Sequence, residues 1–346
     1  MRGLVLLGHG GLEQLAVRTD LPAPPPPTGH DVLVRVTAAA LNHLDLFVLR
    51  GIPGVTLEPG WIPLADGTGV VEAVGEAVTT VRPGDTVVIN PGLSCRQCAY
   101  CRAGEQPLCP RFRLLGEHRP GTAAEACTVP EWNVRTIPAD TPPEVAAAFT
   151  LATLTAYRMV HSRARVAAGD QVLIWGIGGG VALAALQLCK AIGATVWATS
   201  SDSAKLARAR AMGADQVLDH ATQDVPAIIR EATGKRGVDV VIDSVGERTW
   251  DRSLRALGRA GRLVTCGGTS GPMVQTDVRK LFWNQWSLLG STMGNDAEFD
   301  AIVAAFRAGR LVPPIDSVHA LEDAPAAYAR LQSGRQFGKV VVRVAS

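Results

Sequence analysis

The chain has no apolar run long enough to span a bilayer. Its apolar stretches, such as Val172 to Trp175, are strand-sized and far short of the roughly 20 residues a transmembrane helix needs. It also lacks an excess of either charge: 34 Lys and Arg stand against 32 Asp and Glu, a net of +2. A near-neutral balance removes the electrostatic reason to expect nucleic acid or an anionic membrane as partner. No internal repeat or low-complexity segment is evident. The opening MRGLVLLGHG shows no signal-peptide pattern, so the cytoplasm is the expected location. What remains is an ordinary globular balance, 47% hydrophobic and 19% charged over 346 residues, with length for two domains.

Cysteine is the informative residue. Four of the seven, Cys95, Cys98, Cys101 and Cys109, form a C-x2-C-x2-C-x7-C array. Thiolates at such gaps converge on one tetrahedral ion, and four of them leave no position for water or substrate. The expectation is one structural zinc in a lobe of about 91–112. Disulfides or a chance cluster are the alternatives, and disulfides need an oxidising compartment. Cys127, Cys189 and Cys266 lie in apolar surroundings and read as small hydrophobes.

Along the chain the first 140 residues read as β-rich, with short β-branched runs at Val32 to Val36, Gly69 to Val74 and Asp85 to Ile89. Pro142 to Val160 reads as one helix, with Asp140 or Thr141 as cap. A strand–helix alternation follows from Gln171 to Ser291, the pattern of a parallel sheet covered on both faces. Helices at Asp296 to Arg307 and Ala324 to Ser333 and a strand at Lys339 to Val344 close the chain.

The turn after the first strand of that alternation is glycine-rich: Gly176, Gly178, Gly179 and Gly180, then Val181 and Ala182. Strict G-x-G-x-x-G spacing is not met, although Ala is accepted at the third position. Glycines there let backbone approach a pyrophosphate at a helix start; a tight turn without ligand is the bland alternative. At the second strand tip stand Ser200 and, one helical turn on, Lys205. These suit the 2′-phosphate of NADPH better than a carboxylate would. NADH stays possible, because Asp202 is either a helix cap or a ribose ligand.

Together these features resemble the medium-chain dehydrogenase/reductase superfamily, over nearly the whole chain. Its usual phrases stand at Gly69 to Gly75, Val81 to Val88 and Gly121 to Glu125, and the strand from Phe337 to Val342 resembles the one that returns to its first domain. The resemblance implies an α/β fold, with a GroES-like β-rich catalytic domain (1–150 and 296–346) and a Rossmann doubly wound parallel sheet (151–295). It adds Lys339 to the cofactor contacts. It also implies a homodimer or dimer of dimers, paired through the strand Trp286 to Ser291, and a small-molecule substrate.

Zinc alcohol dehydrogenases of this superfamily bind a second, catalytic zinc. The positions expected to hold it carry Asn42, Ala65 and Leu151 here, which are poor ligands or none. Asp66, His43 and Asp45 are donors from which a site can in principle be rebuilt. The chain is closer in this respect to the metal-free quinone oxidoreductase branch, which reduces quinones or activated C=C bonds with NADPH. That branch commonly has Tyr where this chain has Phe47.

The resemblance puts Asn42 beside the nicotinamide; capping the helix that follows is the alternative. His43 is a pyrophosphate contact, a proton relay or a bystander. Asp45 either orients these two or is an ordinary first-turn acid. His118, in a loop the family places near substrate, is a proton donor or a surface residue. Trp61, Phe47, Phe282, Trp283 and Met293 are candidate pocket walls, or merely core. The leading expectation is an NADPH-dependent reductase of quinones or α,β-unsaturated carbonyls. An alcohol or aldehyde dehydrogenase with a rearranged site, and a non-catalytic nucleotide sensor, are the rivals.

Overall fold

In the computed structural model, residues 1–345 are described. They form two compact units: Met1–Ala152 with the segment from Gly294 onward, and Thr153–Met293. No helix among the described residues is long and apolar enough to cross a membrane.

The first unit is built on a seven-stranded sheet. Its centre is the long strand Asp31–Ala40, whose alternate residues Val32, Val34 and Val36 are fully buried. Asp66–Val74 pairs antiparallel on one side of it. The closing strand Lys339–Arg343 pairs antiparallel on the other side, from the far end of the chain. Both neighbours therefore begin where the central strand ends. Ala40 lies opposite Asp66 on one side and Val341 on the other.

The second unit holds a six-stranded parallel sheet. Across it run Gln216–Asp219, Thr195–Ser200, Gln171–Ile174, Val238–Asp243, Leu257–Thr265 and Ser287–Gly290. In order of appearance this is 3-2-1-4-5-6, which leaves a switch point at the first strand. Ser287–Gly290 is an edge strand, preceded by a short helix, Val278–Trp283, on which Phe282 and Trp283 are 63% and 71% exposed.

The single helix expected over 142–160 is broken. Pro143–Ala147 forms one helix and Thr150–Tyr157 another, which runs into a π-helical turn at Arg158–Arg163. Neither Asp140 nor Thr141 caps the start: Pro142 is the N-cap, and its carbonyl already accepts from the N–H groups of Val145 and Ala146. The break has a tertiary cause. Asp66, from a distant strand, accepts hydrogen bonds from the Thr150 hydroxyl and the Leu151 N–H at the start of the second helix, both at 2.7 Å. A carboxylate placed there satisfies the Leu151 N–H, which a continuous helix would have bonded to its own backbone.

Candidate active site and metal centre

The register of the first unit explains why three residues far apart in sequence meet. Asn42 follows the end of the central strand, Asp66 opens one neighbour, and Lys339 opens the other. All three are buried, at 8%, 0% and 4% exposure. Lys339 Nζ donates to Asn42 Oδ1 at 2.5 Å and to Asp66 Oδ2 at 2.8 Å. Asn42 Nδ2 donates to the same Asp66 Oδ2 at 3.0 Å. With Thr150 and Leu151 on its other oxygen, Asp66 accepts four hydrogen bonds. A carboxylate so surrounded has its lone pairs used by its own fold.

The approach to Asp66 is strained. Leu64 sits at φ 68°, in the left-handed region that a branched side chain rarely adopts. Backbone crowds it: a Cβ on Gly121 would meet the Leu64 carbonyl oxygen at 2.1 Å. Thr122 then locks the turn, its hydroxyl donating to the Asp66 carbonyl oxygen at 2.7 Å. So the Gly121–Thr122 phrase is needed because only glycine fits against this turn.

Asp45 completes the centre from below. It is 1% exposed and accepts from the Asn42 N–H at 2.6 Å. Burial pushes its carboxyl up to about 7, against the lowering effects of the Asn42 N–H and of Lys339. Tyr328 is fully buried, and its hydroxyl has no hydrogen-bond partner among the described residues. Burial first, and then the Asp45 carboxylate, raises that phenol well above its ordinary value. The His43 imidazole is held below its ordinary value, by burial and then by the charges of Lys339 and Arg50. Both effects favour the neutral imidazole. Asn42 is also the N-cap of the helix His43–Arg50, with Asp45 reaching back to its N–H. Asn42 thus starts the helix, and its amide joins Lys339 to Asp66.

The cysteine lobe lies in the same unit. The sulfurs of Cys95, Cys98, Cys101 and Cys109 are all within 4.8 Å of one another. Cys98 and Cys101 are 3.5 Å apart, and Cys95 and Cys101 4.0 Å. Four ligands at about 2.3 Å around a tetrahedral zinc stand about 3.8 Å from each other, so the donor set fits that ion. Backbone N–H groups of Cys95 and Arg111 point at Cys109 Sγ, and that of Cys101 at Cys98 Sγ. The Gln97 N–H, first among several backbone and side-chain contacts, draws the Cys95 thiol down to about 5. Among the described residues this is the one grouping of three or more Cys, His, Asp or Glu whose ligand atoms converge. Arg96, inside the array, pairs with Asp296 at the start of the helix Asp296–Arg307 and stacks over Trp132.

In the second unit the glycine turn has an open backbone. Gly176 and Gly178 sit at φ 68° and 131°, conformations that favour glycine. Gly179 is the N-cap of the helix Gly180–Ile192, with no side-chain cap, and Val181 lies in its first turn. N–H groups at a helix start without a side-chain cap, at the carboxyl end of the first strand, are donors of the kind that suit an anion. Ser200 ends the second strand and is buried; its Oγ accepts from the Asp202 N–H. The Asp202 carboxylate caps the helix Ser203–Ala211 by accepting from Ala204 and Lys205.

Of the residues the sequence singled out, the structure joins Asn42, Asp45 and Lys339 around one hub, and His43 stands next to Asn42 within the field of Lys339. His118 is not part of that network. It lies on a turn where its Nδ1 accepts from the Leu114 N–H at 3.3 Å, beside Glu117. Met293 is buried, and the Trp61 indole donates to the Gly116 carbonyl. Two participants escaped sequence reading as parts of this network: Thr150, and Asp66 in the role of hub. The one available signal was a carboxylate set among the apolar and glycine residues of Leu64 to Val71.

A parallel sheet with an uncapped glycine turn, together with a β-rich unit carrying a four-thiolate lobe, defines the class: a nicotinamide-dependent oxidoreductase of two-domain type. Known proteins agree. Residues 28–139 match the alcohol dehydrogenase GroES-like domain and residues 180–308 the zinc-binding dehydrogenase domain. The NAD-dependent alcohol dehydrogenase of Saccharolobus solfataricus is 32% identical, over 92% of this chain and 94% of its own. A crystal structure of an NAD-dependent alcohol dehydrogenase superposes with a TM-score of 0.94 at 42% identity, covering 100% of both chains. The crotonyl-CoA carboxylase/reductase of Cereibacter sphaeroides is 29% identical, over 93% of this chain and 82% of its own. The chain belongs to the medium-chain dehydrogenase/reductase superfamily, in its zinc-type alcohol dehydrogenase-like group, and is an oxidoreductase.

Proposed function

We propose that this oxidoreductase reduces quinones or activated C=C bonds with NADPH, and that its metal is one structural zinc in the cysteine lobe. The observation that carries the reading is the centre formed by Asn42, Asp66 and Lys339. Asn42, Ala65 and Leu151 stand where the zinc-dependent members are expected to hold their catalytic ion. The carboxylate that faces Asn42 and Lys339, Asp66, is already committed to four donors, one of them an ammonium. A divalent ion needs three nitrogen, sulfur or carboxylate donors and an open position, and would have to displace that ammonium.

Bound nucleotide supplies a hydride. The hydride adds to the electron-poor carbon of a conjugated acceptor, the π pair moves onto the carbonyl oxygen, and a proton from water completes the reduction. The protein's part is to hold donors for that oxygen. Asn42 Nδ2 has one N–H beyond its bond to Asp66, and Lys339 has one beyond its two. Relatedness to a crotonyl-CoA reductase, whose named substrate is itself a conjugated acyl group, supports this acceptor class. Relatedness to NAD-dependent alcohol dehydrogenases favours the second reading, an alcohol dehydrogenase with a rearranged site. A panel of para-benzoquinone, cyclohexenone, cyclohexanone and cyclohexanol, run with and without a strong chelator, separates the two. Chelator-resistant reduction of the first two is expected. Efficient oxidation of cyclohexanol, abolished by chelation while the fold persists, would replace the reading by a zinc alcohol dehydrogenase.

The preference for NADPH rests on Ser200 and Lys205, with Asp202 occupied as a cap. Lys205→Ala is expected to raise the KM for NADPH by the loss of a charge-assisted contact of about 1.5–3 kcal/mol, and to leave that for NADH nearly unchanged. Equal effects on both nucleotides, or a native preference for NADH, would make Asp202 the ribose ligand instead.

A further inference from the structure

We propose that Lys339 is the positioning cation of the active centre, holding the Asn42 amide in one orientation and supplying there the positive charge that a metal supplies in zinc-dependent members. The inference deepens the metal-free reading above and rests on it.

Stability alone does not account for this residue. Lys339 opens a strand whose next residues are Val340, Val341 and Val342, all fully buried. A buried ion pair costs desolvation that apolar side chains of similar volume avoid. A strut between strands would need only the bond to Asp66. Lys339 makes a second bond, at 2.5 Å, to the neutral amide oxygen of Asn42.

That second bond sets the amide. With Oδ1 turned to the ammonium, Nδ2 is turned to Asp66. The reverse orientation would set NH2 against ammonium and oxygen against carboxylate, so it is excluded by charge. The Asn42 backbone is pinned as well, its N–H held by Asp45. Asn42 is thus fixed at backbone and side chain, and its remaining N–H has one direction. A donor held in place before reaction needs no reorganisation when charge develops on an acceptor oxygen. The Lys339 ammonium adds a full positive charge beside it in a desolvated setting, where charge acts more strongly than in water.

Three variants test this in the full chain: Lys339→Met, Lys339→Arg, and Asp66→Asn combined with Lys339→Met. Each is assayed on whichever compound of the panel the wild type turns over fastest, so a wrong acceptor class and a wrong role for Lys339 give different outcomes. The readouts are kcat, both KM values, thermal melting, and the isotope effect with nucleotide deuterated at the transferred position. For Lys339→Met the expected result is a loss of about 10²-fold or more in kcat, with KM values within about threefold. The isotope effect on kcat should rise, because hydride transfer becomes limiting. Lys339→Arg should recover much of the rate, since it keeps charge and donors. The double variant leaves no unpaired buried carboxylate, so it should melt close to the wild type and stay slow. A double variant that melts like the wild type and turns over within about threefold of it would overturn the proposal. So would a Lys339→Met enzyme that loses nucleotide affinity with kcat and isotope effect unchanged, which would make Lys339 a cofactor contact.

Discussion

Replacing Cys98 by serine should release the zinc from the lobe and lower the melting temperature by roughly 10 °C, while the enzyme that stays folded keeps most of its turnover. The lobe has little core of its own: of its four sulfur ligands only those of Cys101 and Cys109 are buried. On the structural-zinc reading, its order comes from the ion that the four thiolates would share. The loss spreads because the lobe holds on to the rest of its unit. Arg96 pairs with Asp296, and Gln106 Nε2 donates to the same carboxylate at 3.1 Å. The helix that Asp296 begins packs Phe306 on Phe149, ring centroids 4.4 Å apart, one residue before Thr150. A loss of about 3 kcal/mol corresponds to roughly 10 °C in a domain of this size. Elemental analysis should read about one zinc per wild-type chain and far less in the variant. A variant that loses its zinc and melts like the wild type would show the lobe to be ordered without the ion. About two zincs per wild-type chain would contradict the reading of Asn42, Ala65 and Leu151.

The second large effect is in the pH dependence of stability. Asp45 has an ordinary value of 3.8, and burial in the fold raises it to about 7. Between those values the native state keeps a proton that the unfolded chain has released. Stability therefore falls as pH rises from about 4 to about 7, and levels off above. Asp45→Asn has no proton to lose, and its Oδ1 can still accept from the Asn42 N–H. The variant should gain on the wild type across that window, by at most about 4 kcal/mol at pH 8 and by little near pH 4. Urea unfolding at pH 5, 6, 7 and 8 measures the gap. Parallel curves for the two proteins would mean that Asp45 is ionised in the fold throughout, held so by Lys339 and the Asn42 N–H.

The repeating parts of the fold were legible because they rest on local pattern. The helices Val225–Ala232 and Asp296–Arg307 and the strand Val238–Asp243 lie where apolar periodicity places them. Other boundaries differ by a residue or two, as at Gly180–Ile192 and Ser287–Gly290. The one helix expected over 142–160 is instead divided, because the donors at Thr150 and Leu151 go to Asp66, more than eighty residues earlier. No propensity of that segment contains Asp66.

By itself the sequence determined which chemistry was at hand: a closed four-thiolate array, a glycine turn between strand and helix, and unsuitable residues at the expected ligand positions. The first two are short-range facts, carried by residue type and spacing; the third is what the family resemblance implies. Only the tertiary structure decided which residues meet at that place. Asn42, Asp66 and Lys339 meet because two strands, one from early in the chain and one from its end, both start beside the point where Asp31–Ala40 stops. A pairing register between distant segments leaves no trace in the spacing along the chain. The cost of burying charge then does the rest: an ammonium and a carboxylate withdrawn from water hold each other, and hold the Asn42 amide with them.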